Sequence, residues 1–136
     1  MKQTIVITGV TKGLGKALTE QYIRLGHIVI GCGRNINSIE LMSKAFSKNT
    51  NFQAVDISDY QQVRSWAANV LNNFGSPDFL LNNAGIINKN ADLWNVPAEE
   101  FSKVIDTNIK GIYNTIKEFV PSMIKVGKGT VVNFSS

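Results

Sequence analysis

Three glycines follow a short apolar run near the amino terminus, and their spacing is suited to phosphate binding. Residues 5–7 are β-branched, as a buried parallel strand prefers, and Gly9, Gly13 and Gly15 come directly after them. Glycines at such a turn let the backbone approach a pyrophosphate and let the next helix pack closely on the strand. The start of that helix offers free N–H groups and a positive dipole end. We therefore predict a phosphate site here, with Gly13 serving both the phosphate and the packing.

The spacing of these glycines narrows the kind of nucleotide site. Residues 8–15, here called the glycine turn, have the pattern T-G-x-x-x-G-x-G rather than G-x-G-x-x-G. A Walker P-loop is excluded, because Val10 stands where that motif needs glycine and Ala17 where it needs serine or threonine. The alternative is a glycine-rich turn that binds no ligand.

Charged residues near the end of the second predicted strand, 28–32, favour a ligand with an additional phosphate. Sites for NAD often carry a carboxylate at this point, which bonds the ribose hydroxyls. Here the position is Gly33, Arg34 follows it, and Lys12 lies within the glycine turn. A guanidinium matches a phosphate in shape and a lysine adds a point charge. NADP(H) is therefore favoured over NAD(H), the alternative being two solvated surface cations.

Strands and helices alternate along the whole chain. Further strands are predicted at 52–55, 79–81 and 130–134, with helical patterns between them. This alternation predicts an α/β fold, a doubly wound parallel sheet of about five strands with helices on both faces. In such sheets a ligand lies at the carboxyl ends of the strands.

Several local details of the helices can also be predicted. The apolar face of the first helix is expected to comprise Leu14, Ala17, Leu18, Tyr22 and Leu25. A second, weaker helix is predicted near residues 39–46. The pattern Ser58-x-x-Gln61 is typical of a capping box that begins the third helix. The last helix carries Pro121, which predicts a kink.

Composition limits the remaining possibilities. The 136 residues, 43% hydrophobic and 18% charged, indicate one soluble globular domain. The net charge of +4 comes from scattered basic residues, so no nucleic-acid partner is predicted. Cys32 lies in an apolar strand and is expected to be a buried, inert thiol in the cytoplasm. With no signal-peptide pattern and no apolar run of about 20 residues, no membrane association is expected. No metal site is predicted.

Polar or glycine residues follow every predicted strand, at Arg34, at Asp56, at 82–85 and at 135–136, besides the glycine turn. Together with Asn108 in N-I-K-G, these motifs resemble the classical short-chain dehydrogenase/reductase family, over the whole chain. The resemblance implies a Rossmann fold in which Asp56 and Ile57 contact the adenine. It also implies that Asn82 to Gly85, the family's N-N-A-G element, steady the sheet and line the adenosine ribose. Basic residues at 12 and 34 go with NADP in that family, and Thr11 adds a hydroxyl. The cofactor residues implied are Gly9, Thr11, Lys12, Gly13, Leu14, Gly15, Arg34, Asp56, Ile57, Asn83, Ala84 and Gly85.

The resemblance also implies the catalytic residues. Asn108 matches an asparagine that holds a water in the proton relay, and Ser136 matches the serine that polarises the substrate oxygen. The family's tyrosine and lysine, four residues apart, are expected beyond Ser136. The sequence is therefore interpreted as residues 1–136 of an NAD(P)-binding domain, truncated before that helix and without the last strands. Tyr113 and Lys117 have the right spacing but precede the serine strand, so Tyr113 is predicted to be a core or interface residue.

The function predicted on this basis is NADP(H)-dependent oxidoreduction, with hydride transfer between nicotinamide and a carbonyl or alcohol substrate. The 136 residues alone are expected to be inactive. Two alternatives are a nucleotide-binding module and a family member without turnover. By the same resemblance the complete protein is expected to be a dimer or tetramer that pairs through the helix carrying Asn108.

Overall fold

A five-stranded parallel sheet, in the order β3-β2-β1-β4-β5, forms the centre of the molecule in a computed structural model that describes residues 1–135. The strands are β1 (Thr4–Thr8), β2 (Ile28–Gly33), β3 (Thr50–Ala54), β4 (Phe79–Asn82) and β5 (Thr130–Asn133). The helices are α1 (Gly13–Arg24), α2 (Ile36–Ala45), α3 (Tyr60–Phe74), α4 (Ala98–Ile105) and α5 (Gly111–Val126). The predicted doubly wound fold is confirmed, and each predicted strand differs from the observed one by at most two residues at either end. Among the described residues no helix has both the length and the apolarity to cross a membrane.

Strand order reverses between β1 and β4, which are neighbours in the sheet although β2 and β3 lie between them in the chain. In a doubly wound sheet, this reversal leaves a crevice at the carboxyl ends of the two strands. The glycine turn follows β1 and residues 83–85 follow β4. The topology therefore brings these two motifs to the same place.

The two faces of the sheet are covered by separate apolar layers. On one face Trp66 of α3 and Phe119 of α5 are fully buried, and their rings meet edge to face with centroids 5.3 Å apart. On the other face, Ile39 and Met42 of α2 pack in one cluster with Ile5 and Ile7 of β1. Burial of these side chains is the main source of stability, and it holds the strand ends in a fixed arrangement.

Carboxylate and amide side chains start the helices that follow β2 and β3. Asp59 caps α3, since its Oδ1 accepts hydrogen bonds from the N–H groups of Gln61 and Gln62. The predicted capping box at Ser58 is wrong: the Ser58 N–H and hydroxyl donate to Asp56 Oδ1 instead, at 3.0 and 2.7 Å. The Asp59 carboxylate caps the helix in place of Ser58. Similarly, Asn35 caps α2. This helix therefore begins three residues earlier than predicted.

The first helix packs on the sheet through small residues. Gly15 and Thr19 are its buried positions, and Thr19 Oγ1 donates to the Gly15 carbonyl at 2.8 Å. Leu14 and Leu25 are 55% and 60% exposed, so their predicted place on the buried face is wrong. Ala17 is also exposed, contrary to the prediction, whereas Leu18 and Tyr22 are half-buried and pack in the same cluster as β1. Gly15 instead approaches the Gly9 carbonyl and Asn83 closely.

A π-helical segment, Asp106–Lys110, joins α4 to α5. Helix α5 continues through Pro121 without a break, although Pro121 has no N–H to donate to the preceding turn. Gly111 lies immediately after this π-segment, and a Cβ there would lie 2.6 Å from Ile57 Cδ1. Single π-turns inside α-helices are frequent at functional sites, and this one carries Asn108.

Cys32 is buried in β2, as predicted, with 1% of its surface exposed. Burial raises the pKa of this thiol to about 12, despite an opposing hydrogen bond from the Gly9 backbone. Because thiolates, not thiols, are the reactive form, Cys32 is inert near neutral pH.

Candidate nucleotide-binding and catalytic site

Two clefts of about 510 and 770 Å³ adjoin at the carboxyl edge of the sheet. They share five lining residues, Lys12, Asn83, Ala84, Gly85 and Ile86. The smaller cleft extends over the glycine turn to the end of β2, and the larger one extends from Asn108 to the residues after β5. Together they form one continuous depression across the reversal point, here called the groove.

Glycines in the glycine turn have distinct structural roles. A Cβ on Gly15 would lie 1.9 Å from the Gly9 carbonyl oxygen and 2.4 Å from Asn83 Nδ2, so Gly15 is required for close packing. Gly13 has a φ of +58°, and a Cβ there would meet nothing within 4 Å. The predicted packing role of Gly13 is therefore wrong, because its Cβ position faces open space. That space is what a phosphate approaching the backbone would need.

Hydrogen bonds between Thr8 and Asn83 hold the glycine turn against the loop after β4. Thr8 Oγ1 accepts from the backbone N–H groups of Asn83 and Ala84, at 3.1 and 2.9 Å. Asn83 Nδ2 donates to the carbonyls of Thr8 and Gly9, both at 3.1 Å. Thr8 is fully buried and is not among the predicted site residues. Its position immediately before Gly9 is the signal by which it could have been found.

The charges in the groove are all of one sign. Within residues 1–135, the charged side chains that line it are those of Lys12 and Arg34. Both residues are exposed, and Gly33 lies beside Thr11, since a Cβ on Gly33 would lie 2.9 Å from Thr11 Cγ2. A groove with two cations and no carboxylate along its described lining attracts an anionic ligand.

Nine of the predicted cofactor residues line the groove and three do not. The nine are Gly9, Thr11, Lys12, Gly13, Arg34, Ile57, Asn83, Ala84 and Gly85. Gly15 lies beneath the turn, and Leu14 is exposed on the first turn of α1. Asp56 lies outside the described lining, and its carboxylate accepts both hydrogen bonds from Ser58. Its neighbours Val55 and Ile57 are lining residues instead.

Asn108 lines the larger cleft, and its side chain pairs with one backbone unit. Its Oδ1 accepts from the Ile86 N–H at 2.9 Å, and its Nδ2 donates to the Ile86 carbonyl at 2.8 Å. A Cβ on Gly85 would lie 3.3 Å from Asn108 Oδ1. The side chain thus ties the π-segment to the loop after β4.

The end of β5 forms the far wall of the larger cleft. Asn133, Phe134 and Ser135 line it, and the Phe134 N–H donates to the Asn82 carbonyl at 3.1 Å. Ser136, the predicted catalytic serine, lies outside the described residues. It follows this wall directly in the sequence.

Tyr113 and Lys117 lie on the outer surface of α5, away from the residues that line the groove. Tyr113 is 58% exposed, which excludes a core position. The Lys117 Nζ lies 5.0 Å from the centroid of the Tyr60 ring and 5.7 Å from that of Tyr113. A hydrogen bond with Tyr113 is the first cause of the raised pKa of Lys117. This pair therefore has no access to a ligand in the groove.

Known proteins with similar sequences and structures include several whose names mention a nicotinamide cofactor. An NADPH-dependent pterin aldehyde reductase of Arabidopsis thaliana is 40% identical over 136 residues, covering 98% of this chain and 56% of that protein. The solved structure "ElxO with NADP Bound" is 33% identical with a TM-score of 0.91, over 100% of this chain and 56% of that one. A 3-ketoacyl-(acyl-carrier-protein) reductase from Brucella melitensis, complexed with NADH, is 27% identical with a TM-score of 0.87, over 92% and 51%.

This chain spans about half the length of the curated relatives it matches. The sequence model of a protein family described as short chain dehydrogenase matches residues 3–136. The match includes the glycine turn, the loop after β4, Asn108 and the end of β5. The chain therefore belongs to the short-chain dehydrogenase family.

Proposed function

We propose that the protein containing this chain is an NADP(H)-dependent oxidoreductase that transfers a hydride between nicotinamide and a small carbonyl or alcohol substrate. The observation that carries the proposal is the groove, whose described charged lining residues are Lys12 and Arg34. One relative is named as NADPH-dependent and one similar structure contains NADP, whereas another contains NADH. The preference for NADP(H) therefore rests on the two cations of this chain.

The groove is suited in shape and charge to such a cofactor. Gly13 leaves open space at the start of α1, where backbone N–H groups and the helix dipole favour phosphate oxygens. Arg34 and Lys12 would hold the additional phosphate, with the Thr11 hydroxyl near the same ribose. The remaining proposed contacts are with Gly9, Leu14, Gly15, Asp56, Ile57, Asn83, Ala84 and Gly85. Leu14, Gly15 and Asp56 are kept from the family resemblance, because they lie outside the groove lining.

When bound, the cofactor supplies or accepts the hydride. We assign to the Ser136 hydroxyl the polarisation of the substrate oxygen. Asn108 holds the loop after β4 through Ile86 and takes part in the proton relay. Neither residue is acidic enough to deliver the proton, which requires a group such as the tyrosine that the family pairs with a lysine.

The same proposal assigns the protein to the cytoplasm as a homo-oligomer that acts on small molecules, not on nucleic acid or membranes. Two other functions are a module that binds the nucleotide without chemistry and a family member without turnover. All three bind NADP(H), so binding alone does not separate them.

The test uses the complete protein that contains this chain. Calorimetry with NADPH and NADH measures binding, and the loss of NADPH absorbance with a panel of aldehydes, ketones and quinones measures turnover. We expect turnover that Ser136→Ala abolishes while NADPH binding is kept, and that Tyr113→Phe leaves unchanged. NADPH binding without turnover across the panel would favour a family member without turnover, and tighter binding of NADH would contradict the assigned cofactor.

A further inference from the structure

Three polar side chains form a line of hydrogen bonds from α5 through β4 to β5. Thr115 Oγ1 donates to Asn82 Oδ1 at 2.6 Å. Asn82 Nδ2 donates in turn to Asn133 Oδ1 at 2.8 Å. These three residues, here called the polar relay, connect three separate elements of the fold.

Thr115 and Asn82 of the polar relay lie in the interior of the protein, where most side chains are apolar. Thr115 is fully buried and Asn82 is 3% exposed, whereas Asn133 is exposed at the end of β5. Polar groups removed from water are unfavourable unless their hydrogen bonds are made, whereas replacing both partners by apolar groups of the same shape can be nearly neutral. Stability therefore does not require polar residues here. A satisfied buried network instead fixes one arrangement of the elements that it joins.

The polar relay fixes the position of the end of β5, which forms the far wall of the larger cleft. Asn82 and Asn133 are directly opposite one another at the ends of β4 and β5. The Asn82 carbonyl also accepts from the Phe134 N–H, one residue further on. β5 pairs with β4 over residues 130–133, and the ends of such elements open more readily than their centres. The relay thus secures the end of β5 where the backbone pairing stops.

Each member of the relay also leads into the candidate site. Asn82 immediately precedes the loop that carries Asn83, and Asn133 precedes Ser135 and Ser136 by two and three residues. Thr115 lies on α5, which continues the π-segment that carries Asn108.

We propose that Thr115, Asn82 and Asn133 are positioning residues for the reaction, holding the backbone that leads into Ser136 in register with the helix that carries Asn108. This inference rests on the proposed function. A merely structural role for the relay would affect stability and cofactor binding together with turnover. A positioning role affects turnover through Ser136 and leaves NADPH affinity unchanged.

The first test is kinetic and uses the complete protein. Thr115→Val removes the relay's first hydroxyl with little change in volume, and Thr115→Ser restores it. We expect kcat to fall about tenfold in Thr115→Val, the effect of one lost hydrogen bond, with an unchanged Kd for NADPH. Thr115→Ser should recover most of the loss.

A second test does not depend on activity. Amide hydrogen exchange at Phe134 reports the opening of the β5 end, and we expect it to be about tenfold faster in Thr115→Val and in Asn133→Leu. Thr19→Val removes an equally buried helical hydroxyl, with its partner inside α1, and should leave exchange at Phe134 unchanged.

The outcomes separate the inference from the proposed function. Unchanged exchange at Phe134 in both relay variants, or a kcat in Thr115→Val equal to that of the wild type, would overturn the inference, as would a loss of NADPH affinity as large as the loss of kcat. A wild-type protein that binds NADPH without turnover would contradict the proposed function, and Phe134 exchange would still show whether the relay holds β5.

Discussion

At the scale of single residues, the proposed preference for NADP(H) depends on Arg34. Its guanidinium lines the groove next to Gly33, where a carboxylate would repel a phosphate. A hydrogen bond to a charged group contributes about 1.5–3 kcal/mol. We therefore expect Arg34→Ala to weaken NADPH binding by about 10- to 100-fold, with little effect on NADH, as measured by calorimetry.

Arg24→Ala is the matched control for Arg34→Ala. Arg24 lies in the last turn of α1 and donates to Gln21 on the protein surface, outside the groove. Its loss should leave the affinity for both cofactors unchanged. If Arg34→Ala weakened NADPH and NADH binding equally, the additional phosphate would not be its partner.

The two inner glycines of the turn should respond differently to substitution. In Gly13→Val the new side chain has space, but the backbone at this position has a positive φ, which costs roughly 1–2 kcal/mol for a residue with a Cβ. The valine side chain would also lie where a phosphate would approach. Gly15→Ala would bring a Cβ within 1.9 Å of a carbonyl oxygen. We expect Gly13→Val to fold but to lose binding of both cofactors. Gly15→Ala should lower the melting temperature sharply.

Thermal melts and calorimetry on both glycine variants check this division. Normal NADPH binding by a folded Gly13→Val protein would contradict the phosphate site. A Gly15→Ala protein as stable as the wild type would contradict the packing role of Gly15.

Residue types and spacing were sufficient to place nine of the twelve predicted cofactor residues in the groove lining, because the ends of parallel strands must meet at one edge. They were insufficient for Thr8 and Asp56. Thr8 contributes through hydrogen bonds to residues 75 and 76 positions away, and Asp56 is directed to Ser58 by a local turn. Side-chain direction depends on such contacts, which no short motif contains.

At the scale of elements, the start of α3 depends on Asp59. Its carboxylate accepts two hydrogen bonds from the first turn, and losing such a cap typically costs about 1 kcal/mol. We expect Asp59→Ala to lower the free energy of unfolding by about that amount, measured by denaturant titration. Ser58→Ala should have a smaller effect, because Ser58 caps no helix. The reverse order would restore the capping box predicted from sequence.

The order and type of the elements could be predicted, because apolar periodicity and glycine positions are local signals. The π-segment and the buried face of α1 could not. The π-segment lies where Asn108 pairs with Ile86 and where Gly111 approaches Ile57. The buried face of α1 depends on the close approach of Gly15 to Gly9 and Asn83. Both depend on contacts between residues distant in sequence.

At the scale of the whole molecule, stability should depend on alkaline pH through Cys32. Its thiol has a pKa of about 12 in the folded protein, raised from 9.0. Above about pH 9 the unfolded thiol ionises while the folded one does not. The stabilisation is therefore complete below this pH and is lost as the pH rises from about 9 to about 12. Denaturant titrations should show a steeper alkaline loss for wild type than for Cys32→Ala, and equal slopes would contradict the inferred burial.

Association of the complete protein should involve the surface of α5 and the π-segment. Ile109 and Tyr113 are about 60% exposed, four residues apart on this helical run, and exposed apolar groups of this kind favour association. We expect the wild type to be a dimer or tetramer by light scattering. The double variant Ile109→Glu and Tyr113→Glu should be smaller, because charges on a surface that pairs with its own copy face each other.

Leu41→Glu is the control for this surface. Leu41 is 67% exposed on α2, on a different helix, and its substitution should leave the oligomeric state unchanged. An unchanged mass in the double variant would show that α5 does not form the contact. If the mass falls while NADPH affinity is kept, the groove binds its ligand independently of the partner copy. That outcome is the expected one, because neither Ile109 nor Tyr113 is among the described residues that line the groove.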